Sequence, residues 1–286
     1  MKEILQLQER LSVLDIQEKA RDSFMEYIRY IWPGFIEGRH HRIIADKLTR
    51  VAKGECKRLI VNMPPRHTKS EFASVYFPSW IMGLRPDMKI MQTTHTADLS
   101  IRFGRKVRNL MDTEEYKRVF SQVKLAADSK SAGRWETGQG GEYFAAGVGG
   151  AITGRGADLL IIDDPHSEQD ALSPTAMEAA YEWYTSGPRQ RLQPGGTIVI
   201  VMTRWSTMDL TGKLLGRQTK DHADQWEIVE LPAILEDTGN VLWPEFWKKE
   251  ELESVKASIP INKWSAQYQQ NPTSEEGAII KREWWN

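Results

Sequence analysis

The run Leu159-Leu-Ile-Ile162, followed at once by Asp163-Asp164, constrains this chain more than any other feature. Four consecutive apolar side chains leave no polar face. The segment must therefore be buried on both sides, as in a parallel strand covered by helices. Its carboxyl end then presents two carboxylates where such sheets bind ligands. The same Asp-Asp-Pro also makes good turn or helix-cap chemistry.

Comparable apolar runs occupy 58–63, ending in Pro64-Pro65, and 197–202, introduced by Gly195-Gly196 and ending at Thr203-Arg204; 89–94 is a further strand candidate. Helical spacing of apolar residues joins Phe24, Ile28 and Ile31 before Pro33-Gly34 stops the run. It recurs over 41–52 (Ile44, Leu48, Val51), closed by Gly54, and over 69–80, 98–111 and 173–185. The glycine-rich stretch 138–156 reads as loop or hairpin. Strands alternating with helices predict an α/β three-layer sandwich with a mostly parallel sheet. The expected divisions are an N-terminal helical region over 1–55, a core over 56–232, and a C-terminal subdomain or linker over 233–286.

Composition limits the function. The 286 residues carry a formal net charge of -1, so any nucleic-acid contact has to come from local patches. One such patch is the basic side of the 98–111 helix, with Arg102, Arg105, Lys106 and Arg108, which reads equally as a solvated face. The single cysteine, Cys56, excludes an intramolecular disulfide and a cysteine-built zinc site. The first 21 residues mix leucine with charged residues, without a run of signal or membrane-span length.

Three strands end in polar clusters, and these carry the chemistry. Pro64-Pro-Arg-His-Thr-Lys-Ser70 has the layout of a phosphate loop: strand, tight turn, then Lys-Ser opening a helix. Backbone N–H groups there cradle phosphate, Lys69 reaches the β- and γ-phosphates, and the Ser70 hydroxyl ligates Mg²⁺. The usual glycines are missing, and Lys-Ser is also an ordinary helix start. Asp163 suits Mg²⁺, and Asp164 suits the attacking water. Thr203 at a third strand tip can sense the γ-phosphate, or simply cap the strand. Some ninety residues separate the loop from the paired aspartates, room for a helix–strand–helix between them, as in P-loop ATPases of the additional-strand type. The adjacent His40 and His41 read as helix-start residues; with Trp32 they also lie upstream of the loop, where related ATPases hold adenine.

Five motifs in order, Pro64-Pro-Arg-His-x-Lys-Ser-Glu71, Gly147-Val-Gly-Gly-Ala-Ile-Thr-Gly-Arg-Gly-Ala-Asp158, Ile161-Ile-Asp-Asp-Pro165, Thr203-Arg-Trp205 and Gln267-Tyr-Gln-Gln-Asn-Pro272, resemble the large terminase subunit of tailed bacteriophages. They cover the chain from about His40 to its end. The resemblance implies a Mg²⁺-dependent ATPase that threads double-stranded DNA through a portal ring in the host cytoplasm. It implies work as a homo-oligomeric ring with a small terminase subunit as partner, a monomer in isolation, and no membrane. Pro65, Arg66, His67, Thr68, Lys69 and Ser70 then bind nucleotide, with Ser70 and Asp163 on the metal. Asp164, Lys69, Thr203 and Arg155 are catalytic, Arg155 acting on a neighbouring subunit's site.

The family also has a nuclease domain, which begins about where this sequence stops, so nuclease activity is not expected here. Thr68 stands where the family usually has glycine, and a positive φ there would strain a β-branched residue. The rival readings are a helicase-like translocase, a P-loop kinase, and a P-loop scaffold with weak or no ATPase.

Overall fold

A computed structural model describes residues 2–127, 131–152 and 154–273. Thr153 of the glycine-rich motif and the 274–286 part of the C-terminal region lie outside the described residues.

Three helices come first: α1 (Lys2–Asp22), α2 (Phe24–Ile31) and α3 (Arg39–Ala52). Ser23 separates α1 from α2 by capping the latter, its hydroxyl accepting from Glu26 N–H. The sheet is then laid down as β1 (Arg58–Asn62), β2 (Lys89–Thr94), β3 (Arg134–Glu136), β4 (Glu142–Gly147), β5 (Ala157–Asp163), β6 (Leu192–Met202) and β7 (Glu227–Glu230). In space the order is β3-β4-β2-β5-β6-β1-β7. Every neighbouring pair is parallel except β3 with β4.

Period-two alternation divides the apolar strand residues between two layers of helix. Leu159, Ile161, Val199, Val201, Leu59 and Val61 join the core under α2, α3, α4 (Phe77–Leu84), α5 (Ala97–Met111) and α6 (Glu114–Val119). Leu160, Ile162, Ile198, Ile200, Ile60 and Met202 face α7 (Pro174–Ser186) and α8 (Leu210–Arg217) through Tyr184, Leu210 and Leu214. The expected three-layer sandwich is therefore the observed one. A smaller cluster gathers Ala233, Val241, Leu252 and Trp264, the last two flanking the end of α9 (Lys249–Ser258).

Three local expectations are corrected. The glycine-rich stretch does contain a hairpin, β3 to β4, but β4 is also a full strand paired with β2. Buried Trp135 and Tyr143 stack across that hairpin at 4.9 Å. Gly195 and Gly196 lie inside β6, in its more exposed first half, rather than before it. The helix expected over 69–80 is divided into a π-helical turn, Glu71–Tyr76, and α4. Pro78 has no N–H to offer the carbonyl four residues back, and Phe77 N–H bonds Phe72 O, five back.

The strand lying between β1 and β5 is β6, which comes from later in the sequence. The ninety residues between the motifs instead build β2, β3 and β4 on the far side of β5.

Candidate functional site

Because β5, β6 and β1 are neighbours and parallel, their carboxyl ends lie side by side, at spacings of about 4.8 Å. Those ends carry Asp163-Asp164, Thr203, and the loop from Pro64 to Ser70. Residues far apart in sequence thus meet without any long loop.

The loop has an unusual backbone. Arg66 and Thr68 adopt left-handed φ of 61° and 65°. Left-handed residues alternating with ordinary ones turn successive N–H groups inward, as in an anion-binding nest. Asp164 is also left-handed, at φ 42°. Three non-glycine residues in this region at one sheet edge mark a site where strain is held by its surroundings.

The surroundings of Thr68 are specific. Gly38 N–H donates to His41 Nδ1 at 2.8 Å, so His41 carries its proton on Nε2. That nitrogen donates to Thr68 Oγ1 at 2.7 Å, and the Thr68 hydroxyl in turn donates to His67 O at 2.6 Å. His67 in turn donates from Nδ1 to Pro65 O at 2.8 Å. Its buried ring stacks on Trp247. His67 is therefore a strut whose side chain faces the interior; only its backbone is free to face a phosphate. Arg66 is exposed. His40 and His41 do open α3, and both are buried.

Lys69 is 8% exposed, and its Nζ sits 2.9 Å from Asp164 Oδ2. Burial alone would lower its pKa; the charges of Asp164 and Asp163 outweigh this and raise it. The other Asp164 oxygen, Oδ1, accepts from Thr203 N–H at 2.9 Å. Thr203 Oγ1 donates to Met63 O at 3.2 Å, just before the loop. Asp164 thus joins the 64–70 loop to the tip of β6.

Asp163 is 1% exposed and is held by two hydroxyls, Ser70 at 3.0 Å and Ser74 at 2.6 Å. Burial, then the charge of Asp164, pushes its carboxyl up to about 7, against the opposing pull of Lys69 and the serines. A bound cation would favour the ionised form. The donor set of Ser70 and Asp163 is all hard oxygen. Among the described residues, no group of three or more His, Cys, Asp or Glu is placed to hold a metal. Such a sparse oxygen set fits Mg²⁺, which uses one or two protein oxygens beside phosphate and water, and does not fit a closed protein cage.

Lys69, Ser70, Asp163, Asp164 and Thr203 are therefore brought together, with Pro65, Arg66, His67 and Thr68 forming the loop. Arg155 is not brought in. It lies just before β5, at the amino edge of the sheet, where it pairs with Glu142 and stacks over Phe144 at 4.1 Å. Its loop therefore does not join the cluster at the carboxyl edge within its own subunit: the connection from Gly147 to Ala157 runs back along the sheet, because β4 and β5 both run parallel to β2.

Two contributors, Ser74 and Gln92, were not singled out from sequence, and two that were, His41 and Gln270, act through contacts that the sequence did not assign to them. Ser74 stands four residues after Ser70 on the same turn, a spacing that could have drawn attention. Gln92 Nε2 supports Ser74 at 3.0 Å. His41 supports Thr68. Gln270, 66 residues beyond Arg204, accepts from the Arg204 N–H. Nothing in local sequence announces the last three contacts.

Sheet order, with β6 inserted between the two strands that carry the motifs, is that expected of a P-loop fold of the additional-strand type. Its likeness among solved structures is to large terminases of bacteriophages. The HK97 large terminase superposes with a TM-score of 0.50 at 13% identity, over 84% of this chain and 52% of that one. The ATPase domain of the Thermus phage P74-26 large terminase, solved as a mutant, gives 0.48 at 15% identity, over 79% and 93%. The large terminase of a thermophilic bacteriophage, solved with ADP, gives 0.47 at 11% identity, over 77% and 51%. The HK97 likeness shows a shared fold, and this chain spans about half of that protein's length. No family model matches the chain, and no curated protein matches it.

Proposed function

We propose that this chain is the ATP-hydrolysing, Mg²⁺-dependent motor domain of a DNA-packaging terminase. The observation that supports this most is the meeting of Lys69, Ser70, Asp163, Asp164 and Thr203 beside a left-handed, nest-like loop. The motif order and the terminase fold favour a packaging motor over a kinase or a helicase.

In this reading, backbone N–H groups of 66–70 and the Lys69 ammonium hold the β- and γ-phosphates. Lys69 gives up Asp164 in favour of phosphate. That frees Asp164 Oδ2 to accept a hydrogen bond from the attacking water and to polarise it, while Oδ1 keeps its orientation through Thr203 N–H. Ser70 and Asp163 would hold Mg²⁺, which when bound neutralises charge developing on the transferred phosphoryl group. The partners of the assembled motor are double-stranded DNA, a portal ring and a small terminase subunit, in the host cytoplasm. The chain forms a homo-oligomeric ring there and is a monomer in isolation. Among the described residues no helix is long and apolar enough to cross a membrane.

Three variants test the site. Lys69→Ala should abolish Mg·ATP hydrolysis and keep the fold. Asp163→Asn should weaken Mg²⁺-dependent nucleotide binding. Asp164→Asn should bind nucleotide but lose turnover by roughly a hundredfold or more, since positioning water matters only on the way to the transition state. Near-full turnover in Lys69→Ala would refute the loop assignment. The Lys69–Asp164 pair, buried at the lysine and partly exposed at the aspartate, also suits a scaffold that no longer takes nucleotide, and calorimetry on the wild type with Mg·ATP separates the two readings.

A further inference from the structure

Thr203 is followed by a buried cation with a closed set of partners. Arg204 Nε pairs with Asp209 Oδ2 at 3.0 Å, and Asp209 is wholly buried. Asp209 also accepts from the N–H groups of Trp205, Ser206 and Gly212, the last as N-cap of α8. This turn is therefore a rigid node: moving Thr203 moves Arg204.

The node has one link to the end of the described chain. Arg204 N–H donates to Gln270 Oε1 at 3.2 Å. The Gln270 side-chain amide donates to Gln267 O. Gln270 is 3% exposed and sits at φ 57°, a conformation unfavourable to any residue but glycine. Gln269 next to it grips Ile234 from both sides, accepting from its N–H at 3.2 Å and donating to its carbonyl at 2.9 Å. Ala233 N–H bonds Tyr268 O at 2.7 Å. The segment 268–270 is thus stitched to the exit of β7 by Gln269 and Tyr268, and to the tip of β6 by Gln270.

We propose that Gln270 is a positioning residue that couples the phosphate loop to the C-terminal segment, through the series Lys69, Asp164, Thr203, Arg204, Gln270. The proposal rests on the ATPase reading above. Three links in the series are each a single hydrogen bond or ion pair, Lys69 to Asp164 Oδ2, Asp164 Oδ1 to Thr203 N–H, and Arg204 N–H to Gln270 Oε1, and the fourth, Thr203 to Arg204, is the peptide bond. With Lys69 drawn to phosphate, Asp164 loses the cation that fixes one of its oxygens. The Thr203 backbone shifts with Asp164, and the rigid Arg204 turn carries the shift to Gln270. The residue that continues the chain, Asn271, then leaves from a changed position. A left-handed glutamine serves here because glycine at this point would have no amide to report the shift.

The test is hydrogen exchange of the 264–273 backbone in the wild type and in Gln270→Gly. Both are measured with and without an unhydrolysable ATP analogue plus Mg²⁺, whose affinity is measured in parallel. Glycine suits the left-handed backbone, so the variant should fold, as its thermal midpoint will report. In the wild type the analogue should speed exchange at 264–273 by about fivefold, the equivalent of losing one hydrogen bond of about 1 kcal/mol. In Gln270→Gly the analogue should bind about fivefold more tightly than to wild type, because by linkage the hydrogen bond it would otherwise disrupt is already gone; the segment should already exchange fast, and the analogue should no longer change it. A variant that responds as the wild type does would overturn the coupling role. So would a wild type that binds the analogue without any change at 264–273. Failure of the wild type to bind the analogue would instead sink the ATPase reading, and this inference with it.

Discussion

Thr68 shows how a single residue can be both strained and useful. Its φ of 65° is costly for a β-branched side chain, by an amount on the order of 1 kcal/mol or more. Yet its hydroxyl is the acceptor for the buried His41 Nε2–H. Losing that acceptor would leave an unsatisfied donor, at about 1–3 kcal/mol. Thr68→Gly therefore trades one term against the other and should be close to neutral. Thr68→Ala loses the acceptor and keeps the backbone cost. Denaturant unfolding should rank Ala below Gly by about 1 kcal/mol. Equal stabilities would mean that the left-handed backbone is not what costs energy at this position.

At the scale of elements, the position of Arg155 follows from strand direction. Asp163 closes β5 and Arg155 lies just before its start, so about 20 Å of strand separates them. Any part Arg155 takes in phosphoryl transfer must be played in another subunit of a ring. Within its own subunit it pairs with Glu142 and covers Phe144. Arg155→Ala should cost about 1 kcal/mol of stability from the lost ring contact and partly exposed pair, with nucleotide affinity unchanged. If the role in trans holds, mixing Arg155→Ala with Lys69→Ala in an assembled motor should restore hydrolysis that neither variant has alone. A mixture that co-assembles and stays inactive would leave Arg155 with the structural role only.

Across the whole molecule, a buried histidine cluster joins three regions. His40 and His41 of α3, His67 of the loop, and Trp243 of the C-terminal region pack ring against ring, at centroid separations from 3.8 to 6.2 Å. Burial, first among the causes, holds His40 at about 2, His41 at about 3 and His67 at about 4. All three are depressed below the ordinary histidine value of about 6.5. Above that value folded and unfolded chains are both neutral here, so the full stability is present. As pH falls below it, the unfolded chain takes up protons that the folded chain refuses, and stability is lost towards the folded values. The loss is at most roughly 1.4 kcal/mol per pH unit for each histidine. Unfolding measured between pH 7 and 5 should show this decline. Among the described residues neither His40 ring nitrogen has a hydrogen-bond partner. His40→Phe should therefore flatten the decline without a large penalty at pH 7, and an unchanged slope would clear His40 of the effect.

Sequence by itself determined the central strands, most of the helices beside them and the polar strand ends that form the candidate site. The runs at 58–63, 159–162 and 197–202 are local patterns that only a doubly covered parallel sheet can bury, and the polar residues ending them had to fall at one edge once the strands were parallel. Periodicity is a property of neighbours in the chain, which is why it can be read without a fold. Tertiary structure alone decided that β6 rather than the intervening chain lies between β1 and β5, and that Arg155 ends at the opposite edge. It also decided that a histidine from α3 supports Thr68 and that Gln270 closes on Arg204. Those outcomes depend on which buried donors and acceptors meet across long sequence separations. The physical reason is that an unmet polar group in the core costs more than any local propensity supplies, so its partner is chosen by the packing of the whole chain.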